Sequence, residues 1–437
     1  MNKPVCIIEA PTLSRSGYGD MSNKFALSMI NHPKFETKIV PTRWGACPSK
    51  FSENDGLTAN EKIIFDHLLR QPLSKQPELF IKVGLPTEMR KVGKYNILIT
   101  AGIETNLPSP QFVESMNIAD LNIVISSFLK DVFLKAKYQK QYNDGSGRSE
   151  EVSVNKPVEV CFIGVDDGVF KQINSTSNEI NLAMQKIKED FCFLFVGMWT
   201  HSNGLYSDRK DVGMLIKTFL KAFRGVKNKP ALILKTSGAT TSVMDRNECL
   251  AKIKAIKNEV GGDDLPNVYL LHGDFTQEQM NEIYNHEKVK AHINFSHGEG
   301  FGIPLLEASF SGKPIITTDW SGHLDFLDKD TAVLLQGDVR PIQPESVNEW
   351  LVKDSQWFYV NYEKAEERIQ NIPHVYEKLA AKGLKAMEKN RELFNTRKMQ
   401  ELVHSIVNKY VPEFAVEQSI ILPKLKKIEL PKLAKVE

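Results

Sequence analysis

In SHGEGFGIPLLEAS, residues 296–309, Glu299 precedes a Gly-Phe-Gly turn and Glu307 follows it. Gly300 and Gly302 lack a Cβ, so the backbone there can approach a ligand closely and adopt positive φ. Pro304 suits the first turn of a helix, where its missing N–H costs nothing. The free N–H groups of that turn, reinforced by the helix dipole, make a site for an anion such as phosphate. Glu307 then lies one turn inside the helix, about 5 Å further along the axis. A carboxylate cannot partner a phosphate, but it accepts hydrogen bonds from vicinal hydroxyls such as those of a ribose. Glu299 can do the same for a second polyol on the other side of the loop. The spacing therefore describes sugar, diphosphate and ribose laid end to end, which is a nucleotide sugar. Taken alone, the same residues also fit a tight turn with Glu307 on a solvated helix face.

The elements that must position this loop alternate along the chain. VCIIEA (5–10), TKIVPT (37–42), ELFIKV (78–83), YNILIT (95–100), LNIVIS (121–126) and VEVCFI (158–163) are apolar runs bounded by turn residues, with helical patterns such as 20–30 and 127–136 between them. A polar, glycine-containing stretch, 164–179, marks a boundary, and a second series follows: FCFLFVG (191–197), ALILKT (231–236), VYLLHG (268–273), AHINFS (291–296) and PIITTD (314–319). From about 343 the pattern reads as purely helical. This alternation predicts an α/β protein with two Rossmann-like domains facing across a cleft, ligands at the carboxyl ends of the strands, and C-terminal helices. The expected boundaries are an acceptor-side domain over 1–168, a donor domain over 169–392, a helix over 393–414 packing back on the first domain, and a basic tail over 415–437.

With 437 residues, 41% hydrophobic and 25% charged, the chain has ample core for two or three domains. Lys+Arg 56 against Asp+Glu 54 gives a net charge of +2, so no whole-chain field points to nucleic acid or an anionic membrane. The five cysteines are widely spaced and never form Cys-x-x-Cys, which reads as buried thiols in a reducing compartment. No run approaches membrane-spanning length and the start does not read as a signal peptide, so a cytoplasmic location is expected and the Asn174-Ser175-Thr176 sequon is incidental.

EGFGIPLLEA resembles the E-x7-E signature of retaining glycosyltransferases of the GT-B fold, glycosyltransferase family 4 (group 1), and the likeness continues through SGKPIITTDWSGHLDFL. It extends more weakly through SGYGDMS, GVDDGVF, and FLFVGMW followed by RKDVGMLIKTF. The resemblance implies that Glu299 contacts the transferred sugar, that the amides of Phe301, Gly302 and Ile303 hold sugar and diphosphate, and that Glu307 binds the ribose. It also implies a basic pair that neutralises the diphosphate, an arginine just after the first Val-Gly and a lysine shortly downstream. Lys210 matches the lysine, but Met198 and Trp199 stand in the arginine's place and the insertion THSNGLYSD follows. Lys235, at the end of ALILKT, is the preferred second charge, ahead of Arg209, which also fits a solvated surface position. In the first domain, Gly17 and Gly19 of PTLSRSGYGDMS fit the family's glycine loop, whose backbone meets the donor phosphates or the acceptor, with Arg15 and Tyr18 placed to reach the cleft, so Gly17, Tyr18 and Gly19 are expected donor-binding residues; a plain βα turn would look similar. Glu104 sits about where many relatives carry a cleft histidine, and a buried cap is the competing account.

No side chain presents itself as a covalent nucleophile paired with a base. The resemblance implies a same-face, oxocarbenium-like substitution in which the leaving phosphate helps to deprotonate the acceptor, so catalysis would be electrostatic and positional. Asp328-Lys329-Asp330 looks like the Asp-x-Asp of the other glycosyltransferase fold, but it precedes TAVLL, where a turn is the simpler account. No essential metal and no cofactor are expected beyond the nucleoside diphosphate sugar co-substrate. The expected activity is transfer of a hexose or pentose to an unknown acceptor, a glycan or a macromolecule such as modified nucleic acid. A sugar-phosphate hydrolase or phosphorylase of the same fold, and a non-catalytic sugar-nucleotide or glycan-binding module, are the alternatives. The terminal repeat LPKLKKIE then LPKLAKVE reads as a solubilising tail or a docking arm.

Overall fold

The apolar runs of the first half pair edge to edge in a parallel sheet. A computed structural model describes residues 3–50, 52, 55–142, 147–199, 206–238 and 240–414. The tail repeat and residues 200–205 of the 200–208 insertion lie outside these described residues. Strands β1 (Val5–Ala10), β2 (Glu36–Pro41), β3 (Leu79–Val83), β4 (Tyr95–Thr100) and β5 (Leu121–Val124) are followed by an antiparallel ribbon, β6 (Lys137–Gln141) and β7 (Ser149–Ser153), and by β8 (Val158–Val160). The first sheet has the order β2-β1-β3-β4-β5-β8 and carries α1 (Gly17–Ile30), α2 (Ala59–Asp66), α3 (Pro110–Met116) and α4 (Ser127–Lys135). Its central strands are buried on both faces, as parallel strands covered by helices must be, and so read as continuous apolar runs.

The second sheet is built from β9 (Cys192–Val196), β10 (Ala231–Lys235), β11 (Val268–Leu271), β12 (Val289–Ile293), β13 (Ile315–Thr318) and β14 (Val333–Leu335), in the order β11-β10-β9-β12-β13-β14. This is the dinucleotide-binding order, with strand direction of travel reversing between β9 and β12. Helices α5 (Asn178–Met184), α6 (Val212–Ala222), α7 (Val243–Val260), α8 (Gln277–Asn285) and α9 (Ile303–Ser309) accompany it.

The reading of 343 onward as purely helical is corrected. A second antiparallel ribbon, β15 (Gly337–Pro341) and β16 (Gln356–Val360), precedes α10 (Tyr362–Asn371), α11 (Tyr376–Leu393) and α12 (Thr396–Tyr410). A four-residue apolar run such as Trp357–Val360 has too little length to reveal its period, so its strand character depends on pairing with β15. The chain recrosses at Val165, which pairs with Asn395, and α12 lies against α1 with His404 Nε2 2.8 Å from the Ser28 carbonyl oxygen. No helix among the described residues is long and apolar enough to cross a membrane.

Candidate active site

Two loops leave the second sheet side by side at the β9/β12 reversal, the position where open α/β sheets bind ligands. The loop after β9 ends in Asp208-Arg209-Lys210-Asp211, and the loop after β12 runs through Asn294 to Gly302. They are stitched together by main-chain and hydroxyl bonds: His297 N–H donates to the Arg209 carbonyl at 2.8 Å and the Ser296 hydroxyl to the same oxygen at 3.3 Å, while within the first loop Lys210 N–H donates to Asp208 Oδ1 at 3.0 Å. Asp211 caps α6 in the left-handed region, φ 51°, and its buried carboxyl accepts from the Tyr362 hydroxyl at 2.6 Å. The backbone that carries the two basic side chains is thereby held from below.

Lys210 Nζ lies 2.5 Å from Glu299 Oε1, and both groups are buried. Asn294 Nδ2 donates to the same carboxylate oxygen at 3.2 Å, and Arg209 Nη1 lies 3.4 Å from the other. Burial opposes ionisation of Glu299, but Lys210 and Arg209 outweigh it and hold the carboxyl at about 2. Burial likewise pulls Lys210 below the ordinary lysine range, with Glu299 acting against it. Arg209 spans the cleft: Nη1 donates to the Gly298 carbonyl at 2.7 Å and Nη2 lies 3.4 Å from Glu104 Oε1 of the first domain.

The glycine loop is arranged around these charges. Gly302 caps α9 at φ 94°, a conformation that strains any residue with a Cβ. Among the described residues no acceptor in the protein meets the amide N–H groups of Phe301, Gly302 and Ile303, all of which line the cleft. Phe301 packs its ring on Phe326, centroids 5.1 Å apart, so only its main chain is offered to a ligand. The dipole expected from the following helix is small, because α9 has just seven residues. Positive charge at this loop comes chiefly from Lys210 and Arg209. Gly298 serves packing between domains: a Cβ there would sit 2.1 Å from the Glu104 carbonyl oxygen.

Glu307 is half-buried on the same cleft, and Tyr284 donates its hydroxyl to Oε2 at 3.1 Å. Burial raises its carboxyl to about 7, with Lys24 and Lys235 opposing and Asp20 adding to the rise. Both glutamates therefore face one space, with opposite electrostatic surroundings.

On the first-domain rim, Gly17 opens α1 with nothing within 4 Å of where a Cβ would be, and it lines the cleft with Tyr18. Gly19 does not line it. A Cβ there would lie 2.0 Å from the Ser14 carbonyl oxygen, so Gly19 permits the tight turn into α1, and its N–H donates to the Ser16 cap at 3.0 Å. Arg15 forms an ion pair with Asp274 across the cleft mouth.

Lys235, the preferred partner for Lys210, is not brought to Glu299. Its ammonium lies 5.4 Å from the Phe275 ring centroid, and Arg209 takes the place beside Lys210. Trp199 is fully buried under Lys252, while Met198 faces the cleft. Asp328 is engaged in a turn with Thr331 and an ion pair with Lys389 at 2.8 Å, and no group of three metal-ligating side chains occurs among the described residues. Sequence reasoning missed Asn294, Tyr284 and Ser321, whose hydroxyl accepts from Glu299 N–H at 2.9 Å. Asn294 lies in the strand run AHINFS and Ser321 in SGKPIITTDWSGHLDFL, but neither stretch singles out those side chains, and nothing in the chain marks Tyr284.

The cleft between the sheets measures about 1370 Å³, above the roughly 300–1,000 Å³ of ordinary small-molecule pockets. It is large enough for two substrates. Residues 214–351 match the model of the family described as glycosyl transferases group 1. A search of curated protein sequences found no match. Among solved structures, the chain is similar to sucrose-phosphate synthase from Thermosynechococcus elongatus (TM-score 0.60, 13% identity, covering 93% of this chain and 99% of that one). It is also similar to Alr3699/HepE from Anabaena in complex with UDP and glucose (TM-score 0.57, 10% identity, 93% and 100%). A glycosyltransferase from Rickettsia africae gives TM-score 0.58 at 14% identity, covering 94% and 99%. The fold is GT-B, two Rossmann-like domains with C-terminal helices.

Proposed function

We propose that the protein is a retaining, metal-independent glycosyltransferase of family 4 that moves a hexose or pentose from a nucleoside diphosphate sugar to an acceptor. The observation that carries this reading is the shared cleft: Glu299 with Lys210 and Arg209, three unpaired loop amides, and Glu307 all line it, which supplies partners for a sugar, a diphosphate and a ribose. Lys210 and Arg209 would take up charge on the departing diphosphate, in a site where fixed charges are worth more than in water. The amides of Phe301, Gly302 and Ile303 would hold its oxygens, Glu299 would orient the transferred sugar, and Glu307 would accept the ribose hydroxyls. With no nucleophile paired to a base near Glu299 among the described residues, the leaving phosphate itself would take the acceptor proton on the same face. Four buried, unpaired thiols support action in a reducing compartment such as the cytoplasm.

The test begins with thermal shift against UDP-glucose and a panel of other nucleoside diphosphate sugars, since a ligand that binds the native state raises its apparent stability. The responding donor is then turned over with and without acceptors, and the anomeric configuration of the product is read by NMR. Retention in a product formed only with acceptor supports the proposal. Donor turnover that never requires an acceptor would favour a hydrolase, and binding without turnover a sugar-nucleotide-binding module.

A further inference from the structure

Away from the charged centre, the cleft continues along the first domain past a pair of stacked rings. Trp44 follows β2, half-buried, and its indole stacks on the Tyr18 ring at 3.9 Å with 25° between planes. The pair is held rigidly. Tyr18 accepts a hydrogen bond from Ala101 N–H at 3.1 Å and lies 3.3 Å from Thr100 Oγ1, which orients its ring from the same loop that carries Glu104. The Trp44 segment is pinned to the neighbouring turn at three places: Thr42 N–H to the Ala10 carbonyl at 2.8 Å, Arg15 N–H to Pro48 at 2.9 Å, and Lys50 N–H to Leu13 at 2.9 Å. Both rings line the cleft together with Glu104, Arg209 and Glu299.

The charge on this limb is already spent within the protein. Arg15 is paired with Asp274, Lys24 with Asp20 at 2.7 Å, and Lys50 with Glu61 at 2.7 Å. Acidic side chains outnumber basic ones along the whole lining. With Lys210 and Arg209 taken up by a diphosphate, a second anion entering here would meet a lining in which acidic side chains are in excess. A flat, electron-rich ring face in charge-compensated surroundings attracts the weakly positive C–H face of a sugar.

We propose that Trp44, braced by Tyr18, is the platform on which an uncharged sugar ring of the acceptor stacks. The acceptor is thus a neutral glycan or glycoside, not nucleic acid or an acidic polymer. This rests on the glycosyltransferase reading, and the experiment keeps the two apart. Full-length wild type, Trp44→Phe and Trp44→Ala are applied to an array holding neutral, sulfated, phosphorylated and uronic-acid glycans, with UDP, GDP and ADP present. Nucleotide-sugar binding by thermal shift is measured in parallel. Binding is expected on neutral glycans only, reduced about tenfold in Trp44→Ala and about threefold or less in Trp44→Phe, with donor binding unchanged in both. Binding confined to acidic glycans, no glycan binding at all, or neutral binding that survives Trp44→Ala would each overturn the platform. Loss of donor binding in the wild type would instead overturn the reading beneath it.

Discussion

The two ends of the glycine loop carry the same side chain in opposite environments. Glu299 sits among Lys210, Arg209 and Asn294, which hold it ionised at about 2. Glu307, one helical turn past the loop, meets a tyrosine hydroxyl and the field of Asp20, and burial lifts it to about 7. Residue type alone thus decides little. A carboxylate locked to a buried lysine is a fixed electrostatic element, whereas one poised near neutrality can gain or lose a proton as a ligand arrives. On the proposed function, the contrast would put charge handling at the Glu299 end and hydroxyl recognition at the Glu307 end.

The largest effect is expected from breaking the cationic side of that contrast. Lys210→Ala leaves Glu299 buried with Arg209 at 3.4 Å as its remaining cation beside the Asn294 amide at 3.2 Å, and should lower donor turnover about a hundredfold or more. It should also destabilise the fold by roughly 3–5 kcal/mol, the cost of stripping one partner from a buried pair. Steady-state rates together with denaturant melts check both, and a Lys210→Ala enzyme with near wild-type turnover would remove the lysine from the leaving-group role. At the other end, Glu307→Ala should weaken free nucleotide by about 1.5–3 kcal/mol, because a charged hydrogen bond to a hydroxyl is lost. Glu299→Ala should leave nucleotide binding intact while slowing turnover. Calorimetry in which Glu307→Ala binds nucleotide as tightly as wild type would erase the division between the two ends.

A smaller effect comes from pH. The ionised carboxylate is the better acceptor for ribose hydroxyls, so nucleotide affinity should rise with pH to a plateau above about 7 and fall, by at most about tenfold per unit, below it. Titration calorimetry should show this slope in wild type and lose it in Glu307→Gln. Linkage to folding runs in opposite directions at the two ends. Glu299, lowered from 4.5 to about 2, contributes stability that is present above about 4.5 and lost as pH falls through about 2. Glu307, raised from 4.5 to about 7, favours the fold below about 4.5 and loses that contribution as pH rises through about 7. The smallest expected change is none: if Lys210 and Arg209 meet the leaving-group charge as proposed, excess chelator should leave the transfer rate unaltered. Activity abolished by chelator and restored by manganese would contradict this.

Much of the fold was legible because parallel strands buried on both faces are written as continuous apolar runs. YNILIT at 95–100 is a strand over the same residues, and ALILKT at 231–236 differs by one. The two ribbons were not legible. β6–β7 is almost wholly exposed, so its residues KYQKQ and SEEVS carry no burial pattern, and β16 is a short run whose partner lies beyond a polar segment. At the site, the loop with Glu299 and Glu307 stood out because glycine, proline and acid at fixed offsets imply a local geometry. Arg209 and Lys235 could not be ranked in this way. One lies in a loop after β9 and the other at the end of β10, and distance along the chain says nothing about which reaches Glu299.

What the sequence by itself determined is local: strand and helix periods, the turn at Gly302, the placement of a carboxylate on either side of it, and hence the class of ligand worth considering. These follow from short-range sterics and hydrophobic patterning, which act between residues a few positions apart. Only the tertiary structure decided that Arg209 joins Lys210 at Glu299, that Gly19 and Gly298 serve close packing, and that Trp44 stacks on Tyr18 at the cleft wall. Each of those depends on which loops the sheet order brings together, and on the burial and neighbouring charge that result. Such electrostatic surroundings exist only once distant segments share a low-dielectric space.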